Sequence, residues 1–189
     1  MNTIVSLAFL FAIVGAIAYV IMIFNGLIAL KNDIAKAWAN IDIMLKRRHD
    51  ELSKLLDVCK GYMDYERDTL QKITQARSMY QQAVSVDQKA QADQSMTSAL
   101  RGFFAVAENY PQLKANDNFT QLQRRITELE SQIADRREFY NDSVNTFNIR
   151  IQQVPDTFVA SFMNLKPQPM FKVEEADKAD VPMAFGATR

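Results

Sequence analysis

Along the chain the hydrophobic residues change texture twice. The run from Ile4 to Phe24, IVSLAFLFAIVGAIAYVIMIF, is apolar on every side, and no side chain from Met1 to Leu30 is charged. It meets the length of about 20 apolar residues that a helix needs to cross a bilayer core. From Ile34 onward the pattern becomes a stripe. Ile34, Trp38, Ile41, Leu45, Leu52, Leu55, Cys59 and Tyr62 recur at helical steps of three or four, with one longer step that skips over Arg48. The stripe runs on through Leu70, Ile73 and Tyr80, which predicts one helix from the membrane to about residue 84.

Beyond it, Ser85 or Asp87 is placed to cap a second helix carrying Met96, Leu100, Phe103, Ala107 and Tyr110. The segment YPQLKANDN (residues 110–118) reads as a loop, with Asn118 capping a third helix. That helix shows Phe119, Leu122, Ile126, Leu129, Ile133, Tyr140, Val144, Phe147 and Ile151 on one face. Its stripe is also interrupted by a cation, Arg136, with Arg137 beside it, and Pro155 ends it. DTFVASFMNL then sets Phe158, Phe162 and Leu165 at helical spacing, and from Lys172 the charged tail has no periodicity, the pattern of disorder. All five prolines lie at or after Pro111 and the earlier glycines are isolated, a composition of long helices with little room for a sheet.

The predicted fold is therefore all-α: an N-terminal transmembrane helix followed by a long antiparallel bundle of three to four helices. The expected divisions are an anchor over residues 1–30, a bundle over 31–154, a membrane-interfacial segment over 155–171 and a disordered tail over 172–189. Residues 34–84 span about 76 Å as a helix, and the next two helices stacked end to end about 85 Å, so such a return brings Pro155 back to the bilayer. Phe158, Phe162 and Met163 would then lie at the lipid interface.

Charge adds orientation. Lys31, Lys36, Lys46, Arg47 and Arg48 follow the apolar run and none precedes it, which predicts a short N-terminus outside and a cytoplasmic bundle, in a bacterial inner membrane. Ala16 and Ala18 resemble a signal-cleavage site, but no basic segment precedes the run and it continues well past Ala18, so an uncleaved anchor is expected. A net charge of zero gives no reason to expect nucleic acid as a partner. The lone cysteine, Cys59, excludes an internal disulfide and a multi-Cys metal site, and its apolar neighbours mark it as a core residue.

Six motifs in order, AWANIDIMLKRRHD, KGYMDYERDTL, TQAR, ENYPQLKANDNF, RREFYNDSVNTFN and FVASFMNLKPQPMF, resemble the LemA family over roughly residues 25–171. The resemblance implies a membrane-anchored helical bundle, usually described as four helices, with no established enzymatic activity. It also implies a link to membrane organisation, since a relative in magnetosome-forming bacteria is associated with internal membrane vesicles. Many members carry a proline shortly after the RRHD motif. Here Ser53 stands in that region, so nothing forces a break there.

The candidate sites weigh towards structure. Arg48 and His49 flank the stripe, and catalysis by His49 would need a nucleophile or an orienting carboxylate, neither of which the motif supplies. Arg48 with Arg136 or Arg137 instead predicts a polar layer between helices, paired with Glu66, Glu108, Glu128 or Glu130 and serving helix register. Trp38 is expected in the core. Tyr110, Pro111, Lys114, Asn116 and Phe119 form either a recognition loop or a packed turn. Ala8, Ala12, Gly15 and Ala16 give the anchor a small-residue face suited to self-association. No catalytic residue, metal or cofactor is expected. The reading is a self-assembling scaffold or adaptor that contacts lipid, with a regulatory partner of another membrane machine, such as a protease, as the alternative.

Overall fold

The computed structural model describes residues 2–63 and 66–171, with the side chain of Asn2 excepted; the expected tail of 172–189 lies outside the described residues. Six helices follow in order: α1 (Asn2–Cys59), α2 (Arg67–Gln82), α3 (Val86–Ala107), α4 (Pro111–Lys114), α5 (Asp117–Arg150) and α6 (Asp156–Phe162). Among the described residues there is no strand, and the all-α expectation holds.

α1 is one unbroken helix of 58 residues, about 87 Å long at 1.5 Å per residue. It runs straight through Ser53, whose hydroxyl bonds back to the carbonyl of His49 at 3.3 Å. It does not continue to residue 84. It ends at Cys59 in a turn through Gly61, where the N–H groups of Tyr62 and Met63 both bond to the Cys59 carbonyl at 3.0 Å. Gly61 has an ordinary negative φ and open space around it, so it acts here through its poor helix propensity.

α5 returns antiparallel along α1, placing Arg150 beside Gly26 and Glu130 beside Arg48. α2 descends and α3 climbs again, so that Tyr80 and Lys89 both reach Asp42. The result is a four-helix bundle, not the end-to-end return expected from helix lengths: α2 and α3 form a hairpin laid against the distal half of the α1–α5 pair. Ser85 caps α3 with a full capping box, its hydroxyl accepting from Gln88 N–H while the Gln88 side chain accepts from Ser85 N–H. α5 is capped by Asn116, not by the expected Asn118, whose own N–H donates to the Asn116 side chain at 2.9 Å.

Two apolar clusters fill the bundle. The distal one gathers Leu52, Leu55, Cys59 and Met63 of the α1 end with Ile73, Phe103, Leu113, Phe119 and Ile126. The membrane-proximal one gathers Ile23, Leu27, Ile34, Ile41 and Leu45 with Ile133, Tyr140, Val144, Phe147, Ala160 and Phe171. Before Ile23, α1 is bare: from Thr3 to Met22 every residue is exposed. This is the one described helix long and apolar enough to cross a membrane.

After α6 the chain turns at Asn164, whose φ of 51° is tolerated by Asn in the left-handed region. Residues 165–171 then climb back along α5 as a strap. Asn148 and Asn141 hold it like two clips, each side-chain amide exchanging two hydrogen bonds with the backbone of Gln168 or Phe171 at 2.7–3.0 Å.

Candidate functional site

Where α1 skips its hydrophobic position, Arg48 enters the bundle and is 3% exposed. Its two guanidinium nitrogens pair with Asp93 of α3 and Glu130 of α5, and one also reaches Thr97 at 3.3 Å. Thr97 donates in turn to Glu130 at 3.0 Å. Arg137 of α5 pairs with the second oxygen of Asp93. Two cations and two anions thus balance in a layer between the two apolar clusters. Burial pulls the Arg48 guanidinium below its ordinary value, and Glu130 works against that pull. Arg stays charged under any ordinary condition, so this layer is ionic.

Several expected members belong elsewhere. Arg136 is exposed and takes no part; Arg137, about 100° further round α5, faces in. Glu130 was among the expected carboxylates. Glu66 instead accepts from the Tyr110 hydroxyl at 2.9 Å, Glu108 pairs with Lys114, and Glu128 accepts from the side chain of Gln132. Asp93 was not foreseen. It sits among Gln and Ala in AQADQSM, where nothing marks an aspartate as buried; the only signal was its place between Ala90 and Met96 on the α3 stripe.

His49 lies at the edge of this layer. Its Nε2 is 3.4 Å from Arg77 Nη2 and 3.5 Å from Gln81 Nε2, and its ring stands 5.9 Å from that of Tyr80. Both nitrogen neighbours are donors, so Nε2 accepts and the neutral ring carries its proton on Nδ1. Desolvation first, then Arg77, lowers its pKa. Among the described residues no carboxylate hydrogen-bonds to the imidazole and no nucleophile pairs with it. Among the described residues no three His, Cys, Asp or Glu side chains cluster as metal ligands. Burial pushes the Cys59 thiol up to about 12, which leaves it without thiolate character.

About three turns towards the membrane, Trp38 is half-buried at the side of the core, 5.7 Å from the Tyr140 ring and 6.1 Å from Phe171. Lys89, paired with Asp42, stands 5.7 Å from the Trp38 and Tyr80 rings. Phe171 and the strap were missed in the sequence, although Asn141 and Asn148, one heptad apart on the flank of the α5 stripe, were a readable sign.

The distal loop is a packed turn at its base and bare at its tip. Leu113 and Phe119 are buried, Asn116 caps α5 and donates to the Tyr62 hydroxyl at 3.3 Å, while Pro111 and Lys114 are exposed. A groove of about 460 Å³ runs between α1 and α5 and is lined by Arg47, Lys54 and Arg125 against Asp50, Glu51 and Glu128. Three charges of each sign make it a solvated face without a preferred ligand charge. At the other end, Ala8, Ala12, Gly15 and Ala16 are exposed on the bare part of α1, and Phe158 and Phe162 are exposed on α6.

A helical bundle with an apolar, uncovered helical extension defines a membrane-associated helical protein. The chain belongs to the LemA family, whose family model matches residues 37–185. It is 31% identical to Protein LemA of Metamycoplasma hominis over 159 residues, 83% of this chain and 72% of that protein. It is also 23% identical to Magnetosome protein MamQ 2 of Paramagnetospirillum magneticum and 20% identical to Magnetosome protein MamQ of Magnetospirillum gryphiswaldense. Each alignment covers 91% of this chain and 72% of the relative. None of these names states an enzymatic activity.

Proposed function

We propose that this protein is a non-enzymatic, single-pass membrane scaffold that assembles with copies of itself and carries a rigid bundle on the cytoplasmic side. The observation that carries the reading is the continuity of α1, which leaves the bare apolar segment and becomes the central helix of the bundle without a break. A helix of this length with no hinge transmits the position of the anchor directly to the bundle. The ionic layer supports the same reading, because an internal charge layer fixes helix register without offering reactive groups. Similarity to proteins named for the magnetosome favours a role in organising membrane. Lys31, Lys36, Lys46 and Arg47, exposed beyond the span, favour the cytoplasmic side for the bundle.

Assembly is assigned to the small-residue face of Ala8, Ala12, Gly15 and Ala16, where nothing lies within 4 Å of a Cβ built on Gly15. Native mass spectrometry of the detergent-solubilised protein should show a defined homo-oligomer, and Gly15→Leu should shift it towards monomer. A monomer that co-purifies with another membrane protein would instead favour an adaptor docking through the exposed tip at Pro111 and Lys114.

A further inference from the structure

α6 is the lowest point of the bundle, the place where the chain reverses between the descending α5 and the ascending strap. Arg150, at the end of α5, lies across α1 at Gly26, where a Cβ would come within 2.8 Å of its Nη2. Its Nε donates to Asp156 at 2.6 Å and so ties the first turn of α6 to this level. Ala160 and Asp156 face inward, with Ala160 in the cluster that holds Ile23 and Leu27. The opposite face carries Phe158 and Phe162, one helical turn apart and 69% and 89% exposed, with Val154 just before them at 75%.

The level at which this face sits decides what covers it. The bare part of α1, from Thr3 to Met22, is about 30 Å long and matches a bilayer hydrocarbon core. Yet α1 stays uncharged up to Lys31, about 12 Å further, roughly the depth of one lipid interface. The Arg150 guanidinium, which lies at Gly26 and holds Asp156, sets α6 at the level of that surplus stretch. Phe24 and Ile28 of the same stretch are also exposed, so at the level of α6 both α1 and α6 present apolar side chains outward. We infer that α6 is an interfacial wedge: Phe158 and Phe162 enter the headgroup–acyl boundary of the membrane that α1 crosses. The bundle then meets the bilayer at two points, the α1 span and α6 beside it, which restricts its tilt and its rotation about α1. The inference rests on α1 spanning the membrane and not on self-assembly.

The test uses the full chain in vesicles of phosphatidylethanolamine and phosphatidylglycerol, with a nitroxide at one position at a time: Phe158→Cys, Phe162→Cys, Ala12→Cys and Val84→Cys. Cys59 is buried and stays unlabelled. Val84 is 90% exposed in the α2–α3 loop and serves as the aqueous reference, and Ala12 as the lipid one. The expected result is that labels at 158 and 162 collide readily with oxygen and lose most of the collision with a water-soluble nickel chelate seen at 84. Nickel access at 158 and 162 equal to that at 84, with 12 in lipid, overturns the wedge while leaving the anchor intact. Nickel access at 12 overturns the anchor itself. Protection at 158 and 162 accompanied by spin–spin broadening that vanishes on dilution with unlabelled protein also overturns the wedge and assigns the face to a second copy.

Discussion

At the scale of single residues, Asp93 holds the ionic layer together. Its two oxygens face Arg48 and Arg137, so removing it leaves two cations facing each other inside the bundle. Asp93→Ala should cost about 3–5 kcal/mol, the range for breaking a buried pair, whereas replacing Arg48, Asp93, Glu130 and Arg137 together by apolar residues of similar volume should recover most of that. Thermal unfolding in detergent followed by circular dichroism gives the ranking; equal losses in the single and quadruple variants would contradict it. His49 gives the bundle a pH dependence. Its folded-state pKa lies below the ordinary 6.5, so the unfolded chain takes up the proton first as pH falls. Stability is full above that value and declines as pH drops through it towards the folded-state pKa. Thermal midpoints should therefore fall between about pH 7 and 5, and His49→Gln should flatten that slope, since carboxylates titrate mostly lower.

Among the elements, the helices are short-range decisions joined by long-range ones. The caps are local: Ser85 and Asn116 satisfy the first N–H groups of α3 and α5. Ser85→Ala and Asn116→Ala should each lower stability by about 1 kcal/mol in denaturant titrations. The α1–α2 break was not legible for a physical reason. Both helices turn their stripes to the same core, so the heptad count passes from Cys59 to Ile73 as if the chain had not reversed. A period reports which face is buried and is blind to direction. Gly61 was the only clue, and an isolated glycine inside a stripe is compatible with an intact helix. The strap escaped for another reason: its hold on α5 comes from the amides of Asn141 and Asn148 and one ring, and two asparagines a heptad apart do not say which segment they bind.

For the whole molecule, the continuity of α1 matters most. One helix carries the bare apolar segment and is the strut of both apolar clusters, so the clusters stand at fixed distances from that segment. The four-helix route, up α1, down α2, up α3 and down α5, returns the chain to the membrane end, which the expected end-to-end stack also did by a different path. The labelling experiment on α6 tests this return directly, and the mass measurement on Gly15→Leu tests what the anchor adds to it.

By itself the sequence determined the all-α class, the apolar span, the caps to within two residues, the family and the interruption of the stripe at Arg48. These are carried by composition, period and local hydrogen-bond chemistry, which act over a few neighbouring residues. Only the tertiary structure decided that Asp93 and Arg137 complete the layer, that Arg136 does not, and that α6 lies beside the last uncharged turns of α1. Such matches join residues dozens of positions apart, and which of several similar carboxylates meets a cation depends on how the helices pack.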